Sequence, residues 1–305
     1  MTNHTVIGAN GIVGHETMSA LKRRGESVTA VGRSASTSEG VTTLIADALD
    51  AASLHRALDG ADVAYLTTGL PYSAKVWARE WPVIMANTIA ACIAHGARLI
   101  FLDNVYAYGH VHDSMRESTP IAASSDKGRV RAGLLQLLAD GRERGLDHTV
   151  ARAADFYGPG AKTSVFNSMA IDNVVAGKSP IWMLDSTQPH SMTYTPDIGE
   201  SLALLGTIGS APGSVWHIPT ATALTGAEYL ALAGGSKLSK TMSALTLRIG
   251  GIFVPAARES RELAYQYTSP YRFDSRAFEV AYGVAPTPYA TGIAAALEHA
   301  RAHTL

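Results

Sequence analysis

Thr5-Val6-Ile7-Gly8-Ala9-Asn10-Gly11-Ile12-Val13-Gly14 runs a short apolar strand straight into a turn with a glycine at every third position. Gly8 lets the backbone reverse sharply at the strand's end. Gly11 has no Cβ, so the main chain can approach a pyrophosphate closely. Gly14 lets the following helix lie tight on its strand, with the free N–H groups of the helix start facing the phosphates. The spacing is G-x-x-G-x-x-G, so the dinucleotide fingerprint G-x-G-x-x-G is met in kind and not to the letter. A plain strand-to-helix turn would also produce such a triplet. Its place at the start of a βαβ pattern favours a nucleotide bed, with Gly8, Asn10, Gly11, Ile12, Val13 and Gly14 as candidate residues.

The alternation continues through the first half of the chain and predicts an α/β fold, a doubly wound parallel sheet with helices on both faces. Strands are expected at 5–7, 27–31, 41–45, 62–67, 98–102 and 148–152. Val13, Thr17, Ala20 and Leu21 recur at helical spacing, and Gly25 is placed to end that helix. Further helices are expected at 53–58, from Pro82 to a stop at Gly96, and at 127–144 before Gly145. Beyond Gly158-Pro159-Gly160 the regularity loosens. Short strands are expected at 181–184, 191–195 and 215–218, a capping box at Thr225 and Glu228, and helices near 256–267 and 289–303. The division predicted is a nucleotide-binding Rossmann domain over 1–160, to which segments near 187–218 return, and a smaller substrate-binding lobe over 161–305.

Composition narrows the function classes. Lys and Arg number 25 against 26 Asp and Glu, with no basic run to suggest nucleic acid or an anionic membrane surface. No apolar run reaches the about 18 residues of a membrane span. The single cysteine, Cys92, excludes an intramolecular disulfide and fits a reducing cytoplasm, with a small buried side chain as its role. With the first strand within a few residues of Met1, no signal peptide is expected. A cytoplasmic protein with a small-molecule substrate is expected.

Cofactor choice is read after the second strand. An NAD site usually places an acid there, whereas an arginine suits the 2′-phosphate of NADP. This chain reads Val31-Gly32-Arg33-Ser34 with no acid before Glu39, which makes Arg33 the candidate phosphate ligand and NADP the expected cofactor, ahead of NAD. Asp47, followed by Ala48, is placed to accept from an adenine amino group, or is an exposed loop aspartate.

Four segments together resemble the extended branch of the short-chain dehydrogenase/reductase superfamily, of the NAD-dependent epimerase/dehydratase kind. They are the glycine turn at 8–14, the acid at Asp47, Asp103-Asn104-Val105-Tyr106-Ala107-Tyr108-Gly109, and Arg152-Ala153-Ala154-Asp155-Phe156-Tyr157-Gly158-Pro159-Gly160. The resemblance runs to about residue 160 and continues faintly through Pro196-Asp197 and 215–219. It implies that Thr67, Thr68 and Gly69 skirt the cofactor's ribose and phosphate, and that Ala153, Ala154 and Asp155 line the nicotinamide and substrate. Lys127 opens a helix as the family's lysine does, and so would hold the nicotinamide ribose. The family's tyrosine, four residues before that lysine, is Ala123 here, and the family's serine falls on Asn104. The chain thus resembles an atypical, tyrosine-less subgroup that carries Lys127-Gly128-Arg129-Val130-Arg131-Ala132.

The missing phenol puts the proton donor in question. Asn104 can donate an amide N–H to a developing oxyanion, or it is simply a turn-former. Tyr106 is either a proton donor or structural, and the resemblance implies that Tyr108 packs under the cofactor loop. Trp77 and Trp81, expected to bracket a loop, and Tyr194, Phe253, Tyr265 and Tyr267 are candidate pocket walls. Ser124-x-x-Lys127 mimics a serine-nucleophile motif without its companions, and His110, His112 and Asp113 lack further partners for a metal. Three functions stay open: an NADP-dependent oxidoreductase acting on a carbonyl, hydroxyl or activated double bond; a lyase, cyclase or epimerase that retains its nucleotide; and a catalytically silent NADP sensor. A homodimer is compatible with each.

Overall fold

The structure, a computed structural model, describes residues 2–208, 211, 213–234, 240–253 and 255–303, and no side chain within 249–257. The chain divides into two compact units. The first comprises 1–107, 126–153 and 198–218; the second comprises 108–125, 154–197 and 219–305.

The first unit is built on β1 (Asn3–Ile7), β2 (Ser27–Gly32), β3 (Thr42–Ile45), β4 (Val63–Leu66), β5 (Arg98–Asp103), β6 (His148–Arg152) and β7 (Ser214–His217). They form one parallel sheet in the order β7-β6-β5-β4-β1-β2-β3. This is the doubly wound Rossmann order, with its reversal between β1 and β4. Every residue of β4 and β6 is buried, as expected where helices cover both faces.

Five helices belong with the sheet: α1 (Ile12–Arg23), α2 (Ala51–Ala57), α3 (Ala74–His95), α4 (Asp126–Glu143) and α5 (Thr195–Ile208). The apolar stripe read from the sequence is the buried face of α1, where Val13, Thr17, Ala20 and Leu21 are all covered. Gly25 and Gly96 take left-handed backbone at φ +77° and +67°, as glycine stops should. Asp50 caps α2, accepting from the N–H groups of Ala52 and Ser53. Cys92 is fully buried on α3, and burial pushes its thiol up to about 12.

One helix differs from its sequence reading. Pro82 does not start α3 but sits inside it, and Trp77 and Trp81 lie on this helix rather than around a loop. A proline within a helix gives up one N–H and crowds the preceding turn. Here Trp77 and Trp81 before it, and Ile84 and Met85 after it, are all buried in the sheet-side core, and that apolar burial outweighs the lost bond.

Beneath the C-terminal end of the sheet lies a buried charge cluster. Asp103, the last residue of β5, has Arg152 of β6 3.1 Å from one carboxylate oxygen and Arg131 of α4 3.2 Å from the other. The Arg131 guanidinium also lies 4.6 Å over the Trp81 ring.

The second unit has no large sheet among the described residues. Short parallel pairs join Asp155–Tyr157 to Met192–Tyr194, Ile181–Met183 to Lys240–Met242, and Ser114–Met115 to Arg272–Phe273. The expected capping box is present on the helix Gly226–Leu232, with Thr225 and Glu228 exchanging hydrogen bonds. An aromatic core holds these pieces together. Trp182 stacks on Tyr229 at 5.7 Å and 11°, and Tyr289 meets Tyr229 edge-on at 4.8 Å.

Asp103→Asn tests the buried cluster. Removing the anion leaves two guanidiniums to repel each other out of water, so a loss of about 3–5 kcal/mol is expected. Urea unfolding of the variant beside the natural protein measures it, and an unchanged midpoint would contradict the assignment.

Candidate functional site

The first unit assembles a cradle at the β1/β4 reversal. Thr67 donates both its backbone N–H and its hydroxyl to the Ile7 carbonyl, each at 2.9 Å, which locks the ends of the two strands together. Gly8 sits directly above at φ +89°, and a Cβ there would lie 2.7 Å from the Thr68 backbone. A Cβ on Gly14 would lie 2.9 Å from the Ala9 Cα. The two glycines therefore serve close approach of backbone to backbone. Gly69, next along, is exposed.

The start of α1 is open. Gly11 is its N-cap and offers no side-chain bond, and no acidic residue stands in the first turn. The first intrahelical bond described is from His15 N–H to the Gly11 carbonyl at 2.9 Å. The amides of Ile12, Val13 and Gly14 thus point out of the helix start, with the positive end of the dipole behind them. Asn10 crosses to the β2 loop, where its amide donates to the Ser34 carbonyl and hydroxyl, both at 3.0 Å. This fixes the loop that carries Arg33, an exposed side chain. Asp47 is exposed, with one carboxylate oxygen accepting from Leu49 N–H at 3.0 Å, and Ala48 accepts from Asn87 at 2.9 Å.

A second group gathers at the ends of β5 and α4. Lys127 is fully buried, with its Nζ 4.4 Å over the Tyr72 ring. Tyr72 meets Trp77 edge-on at 6.0 Å, and Trp77 stacks on Tyr106 at 6.1 Å and 18°. The Trp77 indole N–H is taken by the Pro71 carbonyl at 3.1 Å. Asn104 Oδ1 accepts from Tyr106 N–H at 3.0 Å, which leaves the NH2 as the amide's donor group. Lys127, Asn104, Tyr106 and Trp77 are therefore brought together, around a Tyr72 that no motif singled out. Ala153 is buried beside them, its N–H donating to the Asp103 carbonyl at 3.1 Å.

Ala154, Asp155 and Tyr194 belong to the second unit. Ala154 N–H donates to the Thr193 hydroxyl at 3.1 Å, and Tyr194 packs against Tyr157 at 5.4 Å. Asp155 accepts from His190 at 3.0 Å and from the Tyr267 hydroxyl at 3.1 Å. Tyr265 shares a small cleft with His110, Gln266 and Tyr271, and burial pushes its phenol up to about 12. The Phe253 side chain lies outside the described residues. Among the described residues no three His, Cys, Asp or Glu side chains gather to hold a metal ion. No described helix is long and apolar enough to cross a membrane.

Sequence reasoning passed over Asp103, Arg131, Arg152, Tyr72 and His190. The first three carried a signal, since Asp103 and Arg152 end adjacent strands and Arg131 lies in the first half of an expected helix. His190 carried none, because its partners arrive from segments far away in the chain.

The cradle has the chemistry a dinucleotide needs: open amides at a helix start, glycine where phosphate must come close, and an exposed cation after β2. Gly8→Ala and Gly25→Ala separate close approach from backbone strain. Both residues have positive φ, but nothing lies within 4 Å of a Cβ at position 25. Gly25→Ala should cost about 1 kcal/mol in thermal unfolding. Gly8→Ala should cost more than about 2 kcal/mol and abolish dinucleotide binding, read by nicotinamide fluorescence.

The family model described as NAD dependent epimerase/dehydratase family matches residues 4–208. The dTDP-4-dehydrorhamnose reductase of Streptomyces griseus is 29% identical over 244 residues, covering 75% of this chain and 73% of the relative. Among solved structures, the dTDP-glucose 4,6-dehydratase DesIV of Streptomyces venezuelae with NAD bound superposes with a TM-score of 0.82 at 19% identity, over 99% of this chain and 98% of that one. The UDP-glucose 4-epimerase of Thermus thermophilus, also with NAD, gives 0.78 at 19% identity, over 99% and 100%. At these identities the structures speak for the fold.

Proposed function

The chain is an enzyme of the NAD dependent epimerase/dehydratase family, and from that premise we propose an NADP-dependent oxidoreductase that acts on a carbonyl or hydroxyl carbon of a sugar nucleotide. The observation that carries the cofactor half is Arg33, an exposed cation on a loop that Asn10 anchors beside the open start of α1. Arginine binds a 2′-phosphate through paired charge-assisted bonds, whereas an NAD site would want an acceptor here. The substrate half rests on the activity named for the Streptomyces griseus relative.

The bound dinucleotide would supply or receive hydride. The protein's part is position and polarity. Asn104, its oxygen engaged by Tyr106 N–H, presents N–H donors to a substrate oxygen. Lys127, buried under Tyr72, offers a fixed cation for the cofactor's ribose hydroxyls. The family model leaves a second reading, an epimerase or lyase that keeps its nucleotide and returns product of unchanged oxidation state.

Titration of the protein with NADPH and NADH, then incubation with NADPH and dTDP-4-dehydrorhamnose, tests the proposal. Preferential NADPH binding with oxidation of the nucleotide is the expected result; binding of neither dinucleotide overturns it. Arg33→Ala should weaken NADPH about ten- to a hundredfold and leave NADH unchanged. Asn104→Ala should lower kcat about a hundredfold with little change in dinucleotide affinity.

A further inference from the structure

The second unit holds a buried histidine outside the chemistry assigned above. His190 is 1% exposed, and each of its ring nitrogens faces an oxygen. Nδ1 is 3.1 Å from the Gln266 carbonyl and Nε2 is 3.0 Å from Asp155 Oδ2. A carbonyl only accepts, and so does an ionised carboxylate. A ring that satisfies both at once donates from both nitrogens, one to the carbonyl and one to the carboxylate.

That ring has no room to turn. Tyr267 stacks on it at 4.6 Å and 26°, Tyr271 at 4.4 Å and 20°, and Trp182 meets it edge-on at 5.6 Å. The Tyr229 hydroxyl donates to the His190 carbonyl at 2.7 Å, which fixes the backbone as well. Asp155 is held as firmly. Its Oδ2 also accepts from the Tyr267 hydroxyl at 3.1 Å, and its N–H donates to the Tyr271 hydroxyl at 3.2 Å.

Both side-chain donors use Oδ2. Oδ1 has no hydrogen-bond partner among the described residues, and the Asp155 side chain is 22% exposed while that of His190 is 2% exposed. The imidazole is sealed behind and the carboxylate is the more exposed partner, with one acceptor oxygen left without a partner. Gln266 and Tyr271, which fix the ring, also line a small cleft with His110 and Tyr265, which Asp155 itself does not line.

We propose that Asp155 Oδ1 is the acceptor for a hydroxyl group of the substrate, and that His190 is the positioning residue that aims it. The pair is neutral as a whole, so it suits a neutral hydroxyl. Such a site rejects a ligand that lacks the O–H, because the open oxygen would then be left dry and unpaired. The assignment rests on the sugar-nucleotide reading for its ligand.

The test measures binding of UDP-glucose and dTDP-glucose by calorimetry to the natural protein and to Asp155→Asn, His190→Leu, His190→Gln and Tyr267→Phe. Asp155→Asn and His190→Leu should weaken binding about ten- to a hundredfold. His190→Gln keeps an N–H donor for Oδ2 and should stay within a few-fold of the natural protein, a rescue that loss of packing alone would not give. Dinucleotide affinity, which reads the first unit, should be unchanged in His190→Leu, His190→Gln and Tyr267→Phe and serves as their folding control, and an unchanged thermal unfolding midpoint serves for Asp155→Asn. In the natural protein, 15N spectra should show hydrogen on both His190 ring nitrogens and a shift of the Nε2 signal when the sugar nucleotide binds. Binding that Asp155→Asn leaves intact, or a ring signal that ligand does not move, overturns the proposal and spares the sugar-nucleotide reading. Absence of binding to the natural protein overturns both.

Discussion

Asp103 ends β5 as a fully buried carboxylate between two guanidiniums, one from β6 and one from α4. Neither the anion nor either cation could stay in so dry a place alone, since each would cost several kcal/mol to strip of water (~5). Together they clamp two strands and a helix at the C-terminal end of the sheet. The clamp has consequences one residue away. Asn104 follows Asp103 directly, and Lys127 stands one helical turn before Arg131. The donors assigned to the substrate oxygen and the ribose are therefore carried by backbone that the ion cluster fixes, and Ala153 N–H bonds to the Asp103 carbonyl itself.

The glycine turn after β1 is prepared by different means. Around Gly8 the protein uses closeness: strand ends joined through Thr67, and a turn that only a residue without Cβ can make. At α1 it uses an unfinished hydrogen-bond ladder, with no acid and no capping side chain to consume the open amides. A helix start left so bare in a folded protein is stabilised by whatever anion binds there. Arg33 adds a cation on the far side of the Asn10 bridge.

Ala123 stands where the family that the chain resembles has its tyrosine. Tyr72, Trp77 and Tyr106 form a continuous aromatic wall against Lys127, and the second unit carries its own tyrosines around the Asp155 and His190 pair. Both arrangements hold a charged group among rings, where it is desolvated and cannot swing away.

The elements that local pattern controls were legible in the chain alone. The seven-stranded parallel sheet, the buried stripe of α1, the stops at Gly25 and Gly96 and the capping box at Thr225 all follow from periodicity and cap chemistry over a few residues. Pro82 shows the limit of such rules, because a proline that reads as a helix start is carried inside α3 by the burial of Trp77, Trp81, Ile84 and Met85. Which residues were candidates for the cofactor was likewise written in the spacing of glycines and the place of Arg33. What only the tertiary structure decided are the pairings between distant segments: Asp103 with Arg131 and Arg152, Lys127 under Tyr72, and His190 against Asp155, Gln266 and two tyrosines. A charge is placed by the free energy of leaving water, which depends on every group that closes around it, and that neighbourhood exists only once the chain has folded.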